Sequence, residues 1–187
     1  LFYFTGSIQQ GALYVPAGGD PIYMVRKDFQ RARMESGLKE VVPFKSLGGL
    51  VGILADYGFA LPHRAGMELD VIPVALFQRF AKVLGDCDIT DASPLIRNVR
   101  AVKSKYENGI MKDAGIQVNK VYRRALEIVR EGMTDLELSS ELEFFARKEG
   151  HQGITRMRGF NSELFYGHIF SGVDSAVPAH LDAPLGG

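Results

Sequence analysis

The sequence predicts an α/β fold built from two successive parts, and three observations support this prediction. Over residues 1–92, short apolar runs alternate with helical stretches, which is typical of a sheet covered by helices. Residues 93–187 instead begin with two long amphipathic stretches that carry helix-capping signals. The composition, with 46% hydrophobic and 24% charged residues, is that of an ordinary globular protein.

The predicted strands of the first part are short runs of apolar, aromatic and β-branched residues bounded by turn-forming residues. The first run, Leu1 to Gly6, has the composition of an interior strand that enters a turn. Because the chain starts on such a run and without an initiator Met, we expect a fragment of a longer protein. The remaining strands are predicted at residues 12–15, 21–25, 40–44, 66–71 and 86–90.

Three helices are predicted between these strands. Residues 28–36 carry apolar side chains at helical spacing, and Gly37 ends the helix. Residues 47–57 form a helix that ends at Gly58, although several glycines weaken its start. Residues 73–84 begin with a proline in the first turn, a position at which helices tolerate proline.

The second part opens with a long amphipathic helix. After a connector at residues 91–94, the stretch 95–107 is predicted to begin this helix, which runs to about residue 130. Ser104 and Glu107 have the spacing of a capping box, in which each side chain accepts a hydrogen bond from the other residue's backbone amide.

A second capping box, formed by Thr134 and Glu137, begins another helix that extends to about residue 148. Only two weak strands are predicted after it, at residues 154–158 and 169–171. The apolar faces of both helices need a sheet to cover them, so we expect a truncated domain that self-associates. The face of the first helix consists of Ile110, Met111, Ala114, Val118, Val121, Ala125, Ile128 and Val129.

Charge and cysteine content narrow the possible partners and compartments. The chain has 22 basic and 22 acidic side chains, so its neutral charge gives no reason to expect nucleic acid or an anionic membrane as a partner. No apolar run approaches the ~20 residues that a membrane span requires. The single cysteine, Cys87, cannot form an internal disulfide, and we expect a reducing, cytoplasmic location.

A search for catalytic motifs predicts neither a catalytic residue nor a metal ligand in this chain. The histidines lack the spacing of His-Glu-x-x-His, and there is no cysteine pair to bind zinc. Cys87 lies in a strand-like run and is predicted to be a core residue. The loop residues Asp174 and Asp182 are too sparse to predict a cation site.

The four histidines are the remaining candidates for a functional role. The position of His63 in a turn favours an exposed residue, and the position of His151 after Gly150 favours a helix-end residue. His168 and His180 lie on late segments, close to where the missing sheet is expected. They are the candidate substrate-binding residues, with a packing or surface role as the open alternative for each.

Several motifs together resemble the Xaa-Pro peptidases, the relatives of prolidase, aminopeptidase P and creatinase that share the "pita-bread" fold. The resemblance covers nearly the whole chain. It implies a creatinase-type amino-terminal α/β domain at residues 1–92, followed at residues 93–187 by the first helices and strands of a truncated pita-bread α+β domain. The motifs are Tyr3-Phe4-Thr5-Gly6, Gly66-Met67-Glu68-Leu69, the stretch 91–107, Gly132-Met133-Thr134-Asp135, and the stretch 169–178.

The resemblance also implies a function for the parent protein. Such enzymes hydrolyse the bond before proline in proline-containing peptides, use two divalent metals (Mn, Co or Zn) and form homodimers. Their metal ligands would follow Gly187, so we expect this chain alone to bind no metal and to be inactive. Their substrate-binding histidine directly follows a proline, whereas here Ala179 follows Pro178 and His180 comes next.

Two alternatives stay open at this stage. One is a metal-free hydrolase like creatinase, which shares the fold and depends on a histidine. The other is a non-catalytic binding or dimerisation module that kept the fold and lost the metals. The residues before Gly187 do not separate these alternatives from a metallopeptidase.

Overall fold

A computed structural model describes residues 1–177 of the chain. The chain divides into two compact units, and the division falls between Ser93 and Pro94. Both units mix helices and strands, so the predicted α/β class is confirmed. Within the described residues, no helix has the combined length and apolarity that crossing a membrane requires.

The first unit contains a three-stranded sheet in the order β1-β2-β3. Strand β1 pairs antiparallel with β2, and β2 pairs parallel with β3. These strands confirm the predictions at residues 12–15, 21–25 and 40–44 to within one residue at each end. The strands are β1 (Gly11–Tyr14), β2 (Ile22–Val25) and β3 (Glu40–Pro43).

A second sheet of the first unit has two parallel strands, β4 (Arg64–Met67) and β5 (Asp88–Asp91). The strand predicted at residues 66–71 therefore begins two residues earlier and ends at Met67. The predicted strand is too long at this end because apolar residues continue beyond Met67, whereas Val71 and Ile72 turn back with amides that donate to the Glu68 carbonyl.

Three helices of the first unit match the predicted ones. Helix α2 (Phe29–Glu35) is capped by the side chain of Asp28. Helix α3 (Leu50–Asp56) follows a 3₁₀ turn at Leu47–Gly49. The sequence predicts that the glycines weaken the start of this helix, and the chain there forms the tighter 3₁₀ turn in place of α-helix. Helix α4 (Val74–Leu84) follows Pro73.

The centre of the first unit is β2, whose four side chains are all buried. Because successive side chains point to opposite faces of a strand, β2 contributes to two separate cores. Ile22 and Met24 pack with a cluster from α3, α4 and the 3₁₀ turn, while Tyr23 and Val25 pack around Ala32 of α2. Helices therefore cover both faces of this strand.

The predicted strand at the start of the chain is wrong, because Phe2–Thr5 form a short helix, α1. Gly6 ends it in a left-handed conformation, with its amide donating to the Phe2 carbonyl. The strand-like composition of this run is only a statistical preference, and the local bond from Gly6 closes a single helical turn. A long-range polar contact follows directly after the helix. The buried Ser7 hydroxyl donates to Glu35 at 2.8 Å, and Arg31 and Ser7 together lower the pKa of Glu35.

The predicted long helix of the second part is two helices. Helix α5 (Ser93–Ala101) begins within the predicted connector, and α6 (Lys105–Ile128) starts after a break. The break occurs because Ser104 adopts an extended conformation and closes the predicted capping box with Glu107, which is confirmed. The capping box of α7 (Asp135–Lys148) is confirmed as well.

The last strands differ from the predicted ones. A short antiparallel hairpin joins β6 (Thr155–Arg156) to β7 (Glu163–Leu164), and a 3₁₀ turn follows at Gly172–Ala176. The predicted strand at residues 154–158 is therefore shorter, and residues 169–171 form no strand. The segment 169–171 has no strand partner within the described residues, and its Ser171 bonds instead to a side chain of α7.

Helix α6 exposes its apolar side, as predicted. None of its residues is buried within the described part of the chain, and the exposed fractions are 51% for Ile110, 57% for Met111 and 69% for Val118. Helix α7 buries Leu142 and Ala146, and Gln117 and Lys120 of α6 bond to Glu149 just beyond its end. The expectation that a sheet covers this side stays a prediction.

Candidate functional site

The candidate site is a segment that carries His168 and is held at both ends. We call residues 166–171 the strap, because side chains anchor Tyr166 at one end and Ser171 at the other. Both anchors involve residues at the two ends of α7 or directly after it. The strap has no sheet partner within the described residues, so these side-chain contacts define its course.

The first anchor holds the ring of Tyr166. The imidazole of His151 packs against it at a tilt of 37° with ring centres 4.6 Å apart, and the guanidinium of Arg147 lies 5.7 Å from its centre. The amide of Gly153 donates to His151 Nδ1 at 2.9 Å. In the neutral ring this bond places the proton on Nε2. The bond from Gly153 also fixes the orientation of the imidazole against Tyr166.

The second anchor is a paired hydrogen bond at the first residue of α7. The Ser171 hydroxyl donates to Asp135 Oδ1 at 2.9 Å, and the Ser171 amide donates to Asp135 Oδ2 at 3.3 Å. A carboxylate at this position also interacts favourably with the helix dipole. Both oxygens of Asp135 therefore hold one residue of the strap.

Between the anchors, His168 is exposed and lies beside two aromatic rings. Its ring centre is 5.0 Å from that of Phe165 and 5.3 Å from that of Phe170. An imidazole can donate and accept hydrogen bonds. With two apolar rings beside it, His168 presents a polar group within an apolar surface.

The second unit also has an open cavity of about 560 Å³ beside the last turn of α6 and the first turns of α7. Of its two acidic residues, Glu137 already accepts bonds from the amide and hydroxyl of Thr134, and these bonds lower the Glu137 pKa. The Glu137 carboxylate is therefore engaged in the capping box, and Glu141 is an exposed residue of α7, so we assign the cavity no chemical role. Its lining consists of Arg124, Ile128, Arg130, Met133, Leu136, Glu137, Ser140 and Glu141.

The structure separates the sequence candidates. His168 lies on the strap, whereas His180 falls outside the described residues. His151 follows the end of α7, as predicted for a helix-end residue, and in addition supports Tyr166. His63 is exposed and Cys87 packs partly buried against the first core cluster, as predicted for both.

Sequence reasoning missed the residues that hold the strap, Asp135 and Arg147. In the sequence, Asp135 is recognisable only as part of a helix start, and its partner lies 36 positions away. No local pattern links two residues at that separation. Arg147 in the last turn of α7 has the composition expected of any helix end, which gives no hint of its contact with Tyr166.

The described residues do not fit a metal centre. Among residues 1–177, no group of three or more His, Cys, Asp or Glu side chains comes together in a way that could hold an ion. The two-metal chemistry implied by the resemblance therefore has no ligand set in this part of the chain, and we derive no catalytic step through a metal here.

The family is shown by a match to the creatinase/prolidase N-terminal domain over residues 1–102. This match covers more than half of the chain, so the chain belongs to this family. It includes all the strands of the first unit and the helix α5 that follows them.

Individual relatives agree with this assignment. An Xaa-Pro dipeptidase of Pyrococcus furiosus is 24% identical over 180 residues, which cover 95% of this chain and 47% of that protein. An X-Pro aminopeptidase structure from Thermotoga maritima has a TM-score of 0.71 at 22% identity, covering 82% of this chain and 44% of that one. The structure of an Xaa-Pro dipeptidase from Bacillus anthracis has a TM-score of 0.70 at 20% identity, covering 81% of this chain and 42% of that one.

These likenesses show that the described fold is that of the amino-terminal part of such proteins. The chain spans about half the length of the relatives that it matches. At these identities the comparisons establish fold, while the activity of the whole protein is a separate question.

Proposed function

We propose that the chain is the amino-terminal portion of a metal-dependent Xaa-Pro peptidase, which hydrolyses the bond before proline in short peptides. One observation carries the proposal. The family match over residues 1–102 continues into structural matches over about four fifths of the chain, and the matched structures are named as Xaa-Pro peptidases.

In this proposal, residues 1–92 are the creatinase-type domain and residues 93–187 are the first part of the pita-bread domain. The divalent metals, Mn, Co or Zn, are held by residues of the parent enzyme that lie outside this chain. The exposed apolar side of α6 supports this division, because it offers a surface for the remainder of such a domain to cover. The chain alone is then inactive.

Within the proposed enzyme, His168 contacts the substrate. Three features support this role: the imidazole is exposed, two phenylalanine rings lie beside it, and the strap is fixed at both ends. The apolar rings suit the pyrrolidine of a proline residue, while the imidazole can bond to a peptide group. We extend the same role to His180 on the family resemblance alone.

Two further features belong to the proposal. A homodimer is inferred from the family resemblance. A cytoplasmic location is inferred from the single thiol, Cys87, which has no partner for an internal disulfide.

The test compares this chain with the product of the complete reading frame that contains it. Each is incubated with Ala-Pro, with Ala-Ala as the matched control peptide, in the presence of Mn²⁺, Co²⁺ or Zn²⁺. We expect the complete product to hydrolyse Ala-Pro and not Ala-Ala, and the 187-residue chain to hydrolyse neither. A complete product without activity on Xaa-Pro peptides, or turnover by the short chain alone, contradicts the proposal.

A further inference from the structure

We propose that Asp135 is a positioning residue for His168, which acts by fixing one end of the strap at Ser171. The inference rests on the proposed function, because it assumes that His168 contacts the substrate. Asp135 itself does not touch the imidazole; it binds Ser171, three residues further along the chain.

Side chains connect the strap to both ends of α7. Asp135 is the first residue of α7 and Arg147 lies in its last turn, so the twelve residue steps between them span about 18 Å along the axis. The five residue steps from Tyr166 to Ser171 reach at most roughly 17 Å when fully extended. The long side chains of Arg147 and Tyr166 add to this reach, so the strap joins the two anchors without having to be straight.

Fixing both ends of a short segment restricts the residues between them. His168 lies two residues after Tyr166 and three before Ser171, so its backbone has little freedom while both ends are fixed. When one end is released, the intervening residues regain their torsional freedom and the ring contacts with Phe165 and Phe170 no longer determine one orientation. The imidazole then occupies many positions.

The Asp135 end is the more rigid of the two anchors. Its carboxylate makes two charge-assisted bonds to one residue, and these are stronger and more directional than a ring contact. The Tyr166 end depends on a tilted ring contact and on a cation–π contact near the limit of its range. Positioning of His168 therefore depends chiefly on Asp135.

A purely structural role makes a different prediction from a positioning role. If Asp135 only supplies negative charge at the start of α7, Asp135→Glu preserves its effect. If Asp135 sets the place of Ser171, the longer side chain of Glu displaces both acceptor oxygens and disturbs the strap. Glu141→Gln is the matched charge control, since Glu141 is an exposed carboxylate on the same helix.

The structural test uses NMR of the 187-residue chain and follows the contacts of the His168 ring with Phe165 and Phe170. We expect Asp135→Ala and Asp135→Glu to abolish them, Ser171→Ala to weaken them, and Glu141→Gln to leave them intact. Because Ser171→Ala leaves the charge at the start of α7 in place, it keeps the test decisive even if Asp135→Ala unfolds the helix. Unchanged ring contacts in both Asp135→Glu and Ser171→Ala overturn the inference.

The functional test uses the complete enzyme with Ala-Pro as substrate. We expect Asp135→Ala to raise KM about tenfold, the equivalent of losing one ordinary hydrogen bond between His168 and the substrate, with a much smaller effect on kcat. His168→Ala should raise KM at least as much. The variant that carries both substitutions should have the same KM as His168→Ala alone.

Two outcomes separate this inference from the function on which it rests. If His168→Ala raises KM and Asp135→Ala does not, the positioning role of Asp135 is wrong while the substrate role of His168 stands. If neither variant changes KM although Asp135→Ala loosens the strap, the substrate role of His168 is wrong, and the inference fails with it.

Discussion

Replacing Gly153 by alanine tests the anchor at the Tyr166 end of the strap. Gly153 has a φ of +98°, a conformation that side chains rarely adopt. A Cβ atom built there lies 2.3 Å from Nη2 and 2.7 Å from Cζ of Arg147. The absence of a side chain at Gly153 therefore allows the guanidinium to lie where it does.

The size of the effect follows from these distances. Non-bonded heavy atoms prefer a separation of at least about 3.5 Å, so the guanidinium must move by roughly 1 Å. It is the free end of a flexible side chain and can move without breaking the backbone. Its 5.7 Å distance from the Tyr166 centre is already close to the ~6 Å limit of a cation–π contact, and a shift of that size ends the contact.

Two costs then add for Gly153→Ala. The positive φ costs about 1–2 kcal/mol in an alanine, and loss of the cation–π contact costs about 0.5–1 kcal/mol. Gly132→Ala is the control, because Gly132 has a φ of +81° and a Cβ added there would meet no atom within 4 Å, so only the conformational cost applies. We therefore expect Gly153→Ala to be the more destabilising by roughly 0.5–1 kcal/mol.

The assay combines urea unfolding of the 187-residue chain with hydrogen exchange of the Gly153 amide, which donates to His151. We expect faster exchange at this amide and a shifted Tyr166 ring signal in Gly153→Ala, and neither change in Gly132→Ala. Equal destabilisation by the two substitutions, with an undisturbed Tyr166 signal, would refute the packing of Arg147 between Gly153 and Tyr166.

Three other expectations concern the core, the pH response and the surface. Leu54→Ala removes a side chain that is 1% exposed in the first core cluster and should lower the free energy of unfolding by about 2–5 kcal/mol. Val51→Ala on the same helix removes a side chain that is 37% exposed and should lower it far less. Comparable losses for the two variants in denaturant titrations would contradict the described core. Bonds from the Ser93 hydroxyl, the Ser93 amide and the Leu69 amide lower the pKa of Asp91. The ionised Asp91 therefore stabilises the fold above about pH 4, and this contribution is lost as pH falls through the folded pKa. Asp91→Asn should flatten the acid limb of the stability–pH curve, and an unchanged limb would count against this contribution. The apolar side of α6 should make the chain self-associate and bind an apolar dye, which a strictly monomeric, dye-free species in sedimentation at high concentration would disprove.

The local signals in the sequence predicted much of this fold. Ser104 with Glu107 and Thr134 with Glu137 form the predicted capping boxes, because such a box involves only residues three positions apart. The strand predicted at residues 21–25 from its composition and bounding turn residues is confirmed, and the structure adds that its residues Ile22–Val25 are all buried. Motif resemblance likewise indicated the family that the comparison over residues 1–102 establishes.

One error arose from composition and another from a contact between distant residues. The aromatic run at residues 2–5 has strand-like composition, yet it forms a helix that Gly6 ends with a bond to the Phe2 carbonyl. The strand predicted at residues 169–171 is an irregular segment in which Ser171 bonds to Asp135, 36 positions away. Propensity and periodicity describe neighbours along the chain and cannot detect such partners.

The candidate site divides in the same way. Sequence patterns alone were enough to indicate the family, the two-part α/β order and the choice of His168 as a candidate, because motifs and periodicity are local properties of the chain. The clamping of the His168 segment at both ends, by Asp135 at one end and by His151 and Arg147 at the other, became visible only in the folded chain. An anchor of this kind is a contact between side chains brought together by the packing of α7, and that packing is fixed only when the chain folds.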